Sequence, residues 1–292
     1  VQNVFMGYCA GKCATTGHTN VFIGLEAGLG ASSSGVTGHN NYALGCKSMS
    51  QLTSGCFNLA MGPAAGEKLS SGKYNILFGR NAGCALTSQL SNISIGNDSL
   101  AQNGGTHNVV MGTFAGSGTG TPANNTSSYN VVSGYYSATN LTTGNQNVIL
   151  GRESGCSLTT GNSSIFLGNE VARNRVSGDE NIAIGRLALK GHSTTSSNTG
   201  SKNIAMGSFA GYCVTSGQYN IVFGQTAGCE ISSGNNNIVM GNNALTCATT
   251  GSDRVVIGNH AGTKACGTSS VIIGPYAATN VQCGEDSVYI GR

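Results

Sequence analysis

The sequence predicts an all-β fold, a parallel β-solenoid of about 17 coils with a 17-residue repeat. Three observations lead there. A motif of the form Asn-Val-x-Ile-Gly recurs along the whole chain, the residues just before its glycine are apolar, and a second glycine falls at a fixed place in nearly every copy. Self-similarity at this period marks stacked architectures, in which one repeat is too small to bury a core and its neighbours complete it.

The motif glycines are Gly7, Gly24, Gly45, Gly62, Gly79, Gly96, Gly112, Gly134, Gly151, Gly168, Gly185, Gly207, Gly224, Gly241, Gly258, Gly274 and Gly291, giving 17 copies and 16 intervals. Eleven intervals are 17 residues, two are 16, and three are 21 or 22. Counting from this glycine, position −3 is apolar or Tyr in all 17 copies, and position −1 is Ile, Leu, Met or Phe in 16, Ser133 being the exception. The two positions share parity, so on a strand they face the same way; they are assigned to the coil interior. Position +3 is Ala or Ser in 15 of 16 complete repeats, as suits a tight corner, and the second glycine occupies position −7 in 14 of 16. Glycine at two fixed places would cost a helix about 1 kcal/mol each time, whereas turns use its freedom at positive φ. Two short strands and two glycine turns close a flattened coil in about 17 residues at roughly 3.3 Å per residue, and such coils stack about 4.8 Å apart.

Asn opens the motif in 13 of 17 copies: Asn3, Asn20, Asn41, Asn58, Asn75, Asn92, Asn108, Asn130, Asn147, Asn181, Asn203, Asn220 and Asn237. Amides stacked at one corner are expected to hydrogen-bond from coil to coil as a ladder.

Position −2 is also apolar or Tyr in 16 of 17 copies, among them Phe5, Phe22, Leu77, Val110, Val132, Ile149, Phe166, Val222, Val239, Val256, Ile272 and Tyr289. With −3 and −1 assigned inward, these side chains point outward. A strand apolar on both faces is buried on both, and a stripe of this length exceeds what soluble monomers expose. Another copy of the chain is the simplest cover, and parallel copies about a rotation axis keep equivalent coils together. The residues at −2 are therefore expected to form the interface of a homotrimer.

Repeats such as Asn20-Val21-Phe22-Ile23-Gly24 and Asn181-Ile182-Ala183-Ile184-Gly185 resemble the head repeat of YadA-like trimeric autotransporter adhesins. The resemblance covers essentially the whole chain. It implies a left-handed β-roll, three chains side by side, and binding to host-surface molecules. The longer form, with Leu158-Thr159-Thr160-Gly161, is similar to repeat regions of phage and giant-virus fibre proteins. The 17-residue period is longer than the autotransporter repeat, and no stalk or membrane anchor accompanies it, which favours a viral fibre.

Composition narrows the alternatives. Glycine supplies 46 of 292 residues, charged residues are 9%, and the formal net charge is +3. Disorder would need more charge and fewer apolar residues; with Lys and Arg scattered singly, no basic stripe is available for nucleic acid. No apolar run is long enough to cross a membrane, so no membrane insertion is expected. The opening residues read as the middle of a repeat, and the chain is expected to be a single repeat domain, 1–292, cut from a longer fibre.

Chemistry-bearing motifs are sparse, and no enzyme activity, catalytic residue, metal or cofactor is expected. The hexapeptide of left-handed acyltransferases matches once per coil, at Ile23-Gly24-Leu25-Glu26-Ala27-Gly28, where those enzymes need three. The five histidines (His18, His39, His107, His192, His260) are scattered, and most of them read as solvated turn residues. Of 11 cysteines, none forms a C-x-x-C pair for zinc. Six follow the motif glycine by five or six residues and read as buried thiols, whereas Cys266 and Cys283 precede turn glycines in adjacent coils, close enough for a disulfide. The long intervals place small polar loops near 28–38, 116–127 and 189–200. They read as excursions that a solenoid tolerates while its core continues, with receptor contact the alternative for loops on a rigid scaffold, and no receptor-binding residue is assigned. Thr-Thr-Gly recurs with gaps, which weakens a reading as an ice-binding solenoid.

The sequence thus predicts an extracellular fibre segment of a virus or phage, on the virion surface or at a cell surface, that mediates host attachment. Its expected partners are its own copies and an unidentified host-surface receptor, with glycans among the candidates. A bacterial adhesin head is the alternative.

Overall fold

The computed structural model describes residues 2–31, 35–121, 124–193, 197–247, 249–265, 267–281 and 285–291. It is an all-β parallel solenoid in two compact units, Val1–Gln146 and Asn147–Arg292. Every strand is the apolar triplet that ends at a motif glycine. The first unit holds β1 (Val4–Met6) to β8 (Val131–Ser133), and the second holds β9 (Val148–Leu150) to β17 (Val288–Ile290). Within each unit, successive triplets pair in parallel and in register, as in Val21↔Tyr42, Phe22↔Ala43 and Ile23↔Leu44, or Ile165↔Ile182, Phe166↔Ala183 and Leu167↔Ile184.

The second strand expected in each coil is absent from the described residues as a regular element; only the isolated bridges Ala14↔Val36, Cys56↔Lys73 and Lys73↔Leu90 stand in its place. Backbone dihedrals give the reason. Each coil places residues at +2, +4 and −5 in the left-handed region, as at Lys47 (φ 56°), Met49 (φ 47°) and Phe57 (φ 58°). Such residues bend the chain instead of extending it. Inter-coil hydrogen bonding nevertheless continues around the bends, for example from Gly28 N to Ser48 O at 2.9 Å and from Gly30 N to Ser50 O at 3.0 Å.

The direction of the side chains reverses the expected one. Position −2 is the core: Phe22, Leu77, Ile149, Phe166, Val239, Val256 and Ile272 are fully buried within a single chain, and Val110, Val132 and Val222 are 1% exposed. They cannot line an interface between chains. Phe5 and Tyr289, at the same position, lie on the outermost strands and retain partial exposure. Parity put −3 and −1 on one side but did not say which, and packing decides. In most coils position −2 shares interior volume with +4 of its own coil and the two compensate in size. Ala60 with Gly66 and Ala205 with Gly211 are small at both places, and there Leu77, Met49 and Leu189 of neighbouring coils reach in. Phe22 faces Gly28 and Leu77 faces Gly83, where an added Cβ would run into the larger side chain; Ala43 is matched with Met49, Ser94 with Leu100 and Ala183 with Leu189, all buried. Interiors are close-packed, so such exchanges hold volume constant. Leu52, Leu69, Leu86, Leu141 and Leu158, at +7, close the core from the opposite wall.

The two glycine columns answer to close approach between coils. At Gly62 (φ +133°), an added Cβ would lie 2.6 Å from Gly79 O; at Gly55, whose φ is not in the left-handed region, it would lie 2.6 Å from Gly72 O. The first column needs both an unusual dihedral and an empty α-carbon. The second needs only the empty α-carbon.

Loop insertions leave vacancies in the +7 column. The coil carrying the insertion near 189–200 has exposed His192 there, and the preceding coil replaces Leu with fully buried Arg175. Its Nη1 donates to Val214 O at 3.3 Å and its Nη2 to Gly200 O, while its Nε has no partner. Burial pushes this guanidinium down to about 10. Asn103 occupies the same place before the insertion near 116–127 and donates to Ser127 Oγ.

Two outcomes follow from this packing. Phe166→Ala should cost about 3–5 kcal/mol in chemical denaturation, and Ile165→Ala, on the outward side, less than half of that. Arg175→Leu should raise stability by about 1–4 kcal/mol, because it replaces an ion lacking a buried countercharge with the residue used by other coils.

Candidate functional site

The Asn corner is structural. In the first unit, each backbone N–H from Asn20 to Asn130 donates to the Oδ1 of the Asn one coil earlier: Asn20 to Asn3 at 2.9 Å, Asn41 to Asn20 at 3.0 Å, Asn58 to Asn41 at 3.2 Å and Asn75 to Asn58 at 3.1 Å. Asn92, Asn108 and Asn130 repeat the bond at 3.0 Å. The Nδ2 groups donate to the second-glycine column, as from Asn41 to Gly55 O and Asn58 to Gly72 O, both at 2.8 Å. In the second unit the chain of bonds runs from Asn147 through Ser164 to Asn181, Asn203, Asn220 and Asn237. Buried Arg254 then takes the Asn place, its Nε donating to Asn237 Oδ1 at 2.9 Å and its Nη2 to Gly251 O at 2.6 Å. All of these amides except Asn3 are buried.

Hydroxyls and thiols on the other corners are also engaged between coils. At +5, Cys84 Sγ donates to Ala101 O at 3.3 Å, Cys156 Sγ to Arg173 O at 3.4 Å and Cys229 Sγ to Thr246 O at 3.6 Å. At −9, Thr53, Thr159 and Thr215 donate to the next coil's carbonyl at 3.1, 2.8 and 3.1 Å. The first hydroxyl of several Ser/Thr pairs is thereby committed within the chain. Arg152, Glu153, Glu170 and Arg173 form a self-neutralising network, with Arg173 at 2.9 Å from both carboxylates. Among the described residues no three His, Cys, Asp or Glu side chains come together as a metal site, and no helix is long and apolar enough to cross a membrane.

The surface that remains unspent is the outward side of the sheet. Positions −3 and −1 point there, and Tyr42, Ile76, Ile95 and Met111 are 36–42% exposed in the first unit. Leu150, Met206, Ile238, Met240 and Ile273 are equally open in the second. From strand spacing and rise, the strip on each unit covers on the order of 400 Å², already the size of the largest apolar patch on an ordinary soluble monomer.

Beside this strip runs a corner of aromatic residues at −5. Phe57, Tyr74, Tyr129 and Tyr219 are 45–59% exposed, and all adopt left-handed φ, a conformation costing bulky residues about 1–2 kcal/mol. Phe57 and Tyr74 stack at 5.2 Å and 8°, and His107 stacks on Tyr129 at 4.9 Å and 10°. His18 and His39, one residue earlier in their coils, stack at 4.9 Å, and His39 meets Phe57 edge-on. His260 stacks on Tyr276 at another corner. Four of the five histidines are thus members of ring stacks. A groove of about 470 Å³ between corner and strip is lined by Asn40, Tyr42, Phe57, Asn58, Leu59 and Ile76. The corner escaped the reading of the sequence because −5 holds rings in some coils and Asn, Ser, Gln or acids in others; five aromatic residues at one repeat position were the available signal.

The pair Cys266 and Cys283 lies outside the described residues, as do parts of the three insertions. The nine described cysteines are free thiols. Burial first, and then Glu230, pushes the Cys213 and Cys229 thiols up, Cys229 to about 11; burial and Glu67 do the same for Cys84.

Compared with family models, curated proteins and solved structures, the chain matches none.

The thiols give a direct check on this geometry. Exposed Cys46 and Cys247 should react first with a maleimide or disulfide reagent. Labelling of Cys229, followed by mass spectrometry, should keep rising about tenfold per pH unit beyond pH 9 and level off near 11, because only the thiolate attacks.

Proposed function

We propose that the chain is a structural and adhesive segment of a viral or phage fibre, acting outside the cell at the virion surface, with three copies packed side by side. Nearly every strand triplet is apolar on both of its sides, and this one observation supports the reading. Position −2 fills the coil's own core, which leaves −3 and −1 as the residues for a second copy to cover. Covering them side by side matches equivalent coils and closes with rotational symmetry. Host attachment is the function implied by the resemblance to YadA-like heads and fibre repeats, and the Leu-Thr-Thr-Gly form with its longer period favours a fibre over a bacterial adhesin head. Stiffness follows from coils bonded along their whole perimeter, and loops or corners offer the contact points for a host-surface receptor.

Light scattering on the purified chain should return three times the 29.4 kDa chain mass. The double variant Ile95→Asp with Met111→Asp, two neighbouring outward residues, should lower the mass to a single chain with an unchanged circular dichroism spectrum. A wild-type mass of one chain at micromolar concentration would overturn the trimer.

A further inference from the structure

The aromatic corner of the first unit lacks one rung. Tyr74, Ser91 and His107 occupy position −5 in three successive coils with the same backbone, φ 61°, 56° and 58°. Their N–H groups donate to the preceding coil in the same way, to Cys56 O, Lys73 O and Leu90 O at 3.2, 3.0 and 3.0 Å. The corner therefore continues without distortion through Ser91 while the side chain shortens from a ring to a hydroxyl. Tyr74 is stacked on one side by Phe57, and His107 on one side by Tyr129. Neither has a second ring partner among the described residues, so each turns its free face toward the coil of Ser91. Two coil spacings put these faces about 10 Å apart. A guest ring midway would lie about 5 Å from each, inside the 4.5–7 Å range of ring stacking.

We propose that this gap is a binding slot for one pyranose ring of a surface carbohydrate. A pyranose presents C–H groups on its faces and hydroxyls around its edge. The slot offers two ring faces, with the Ser91 hydroxyl carried by the coil between them and the ring nitrogens of His107 at the edge of one wall. An aromatic guest would satisfy the walls and leave those polar groups unmatched. A nucleic-acid base would come with its phosphate backbone to a chain whose few basic residues are scattered. The same repeat position holds no other small residue between two rings among the described residues; in the second unit Ser163 is followed by Glu180. The choice of a carbohydrate rests on the adhesive reading, but the slot itself belongs to one chain and does not depend on the trimer.

Saturation-transfer NMR on the full chain, with methyl glucoside, galactoside, mannoside and N-acetylglucosaminide as probes, tests the assignment. At least one should bind in the millimolar range, with its ring C–H protons receiving the transfer. Ser91→Tyr, which completes the stack, should weaken that binding at least tenfold while the melting temperature holds or rises. Tyr74→Ala, which removes a wall, should weaken it similarly, and Ser163→Tyr should leave it unchanged. No transfer to any probe, or equal transfer in the Ser91→Tyr variant, would refute the slot, and binding of indole with no pyranose would refute the carbohydrate. Light scattering on the same samples keeps the two proposals apart: a trimer without sugar binding removes only the slot, and a single chain that binds sugar removes only the fibre interface.

Discussion

Each coil must hydrogen-bond to the next around nearly its whole perimeter, and that requirement governs everything else. Backbones held one strand spacing apart at corners as well as along strands leave no room for a side chain on the facing α-carbon. The two glycine columns are the result, one at the strand end and one opposite. Between them the Asn column settles the carbonyls and N–H groups that a sharp corner would otherwise leave unpaired. A buried unpaired backbone group is costly, so a polar side chain is retained at a fully buried place. Where Asn is replaced, Ser164 Oγ still accepts from Asn181 N–H, and Arg254 still donates to Asn237 Oδ1 but offers no acceptor to the following coil.

The repeat, its period, the parallel stacking and the Asn corner were legible in the sequence because each leaves one residue type at one spacing. The facing of the strand was not. Alternation separates −2 from its neighbours but is silent about which side is closed, and when both sides are apolar, hydrophobicity cannot choose. Volume could have chosen: in most coils a large residue at −2 coincides with Gly or Ala at +4, and Ala43, Ser94 and Ala183 coincide with Met or Leu there. Only two side chains sharing one confined space produce such an exchange. The expected second strand failed for a related reason. Its residues follow a favourable period, yet three left-handed positions per coil, most of them filled by residues other than glycine, leave no extended run long enough to form one.

The candidate surface was half visible. An apolar excess beyond the needs of one core was evident from the triplets, although it was attached to the wrong side. The aromatic corner was hidden by its irregularity, since rings there alternate with amides, hydroxyls and acids and no consensus survives alignment. Like the other residues at −5, these rings hold a backbone conformation that Asn or Gly would adopt at less cost, and they do so in contact with solvent.

The plugs beneath the insertions bear on how the chain finds its alignment. A sequence built from near-identical turns invites slippage by a full repeat, since glycine would still meet glycine and Asn would still meet Asn. Arg175 reaching Gly200 and Val214, and Asn103 reaching Ser127, are pairings that a shifted arrangement would not reproduce. Buried ionic and polar groups of this kind reduce stability and enforce uniqueness. The irregular coils thus act as address marks, and a version of the chain idealised to perfect periodicity would gain robustness while losing the means to tell one floor of the stack from the next.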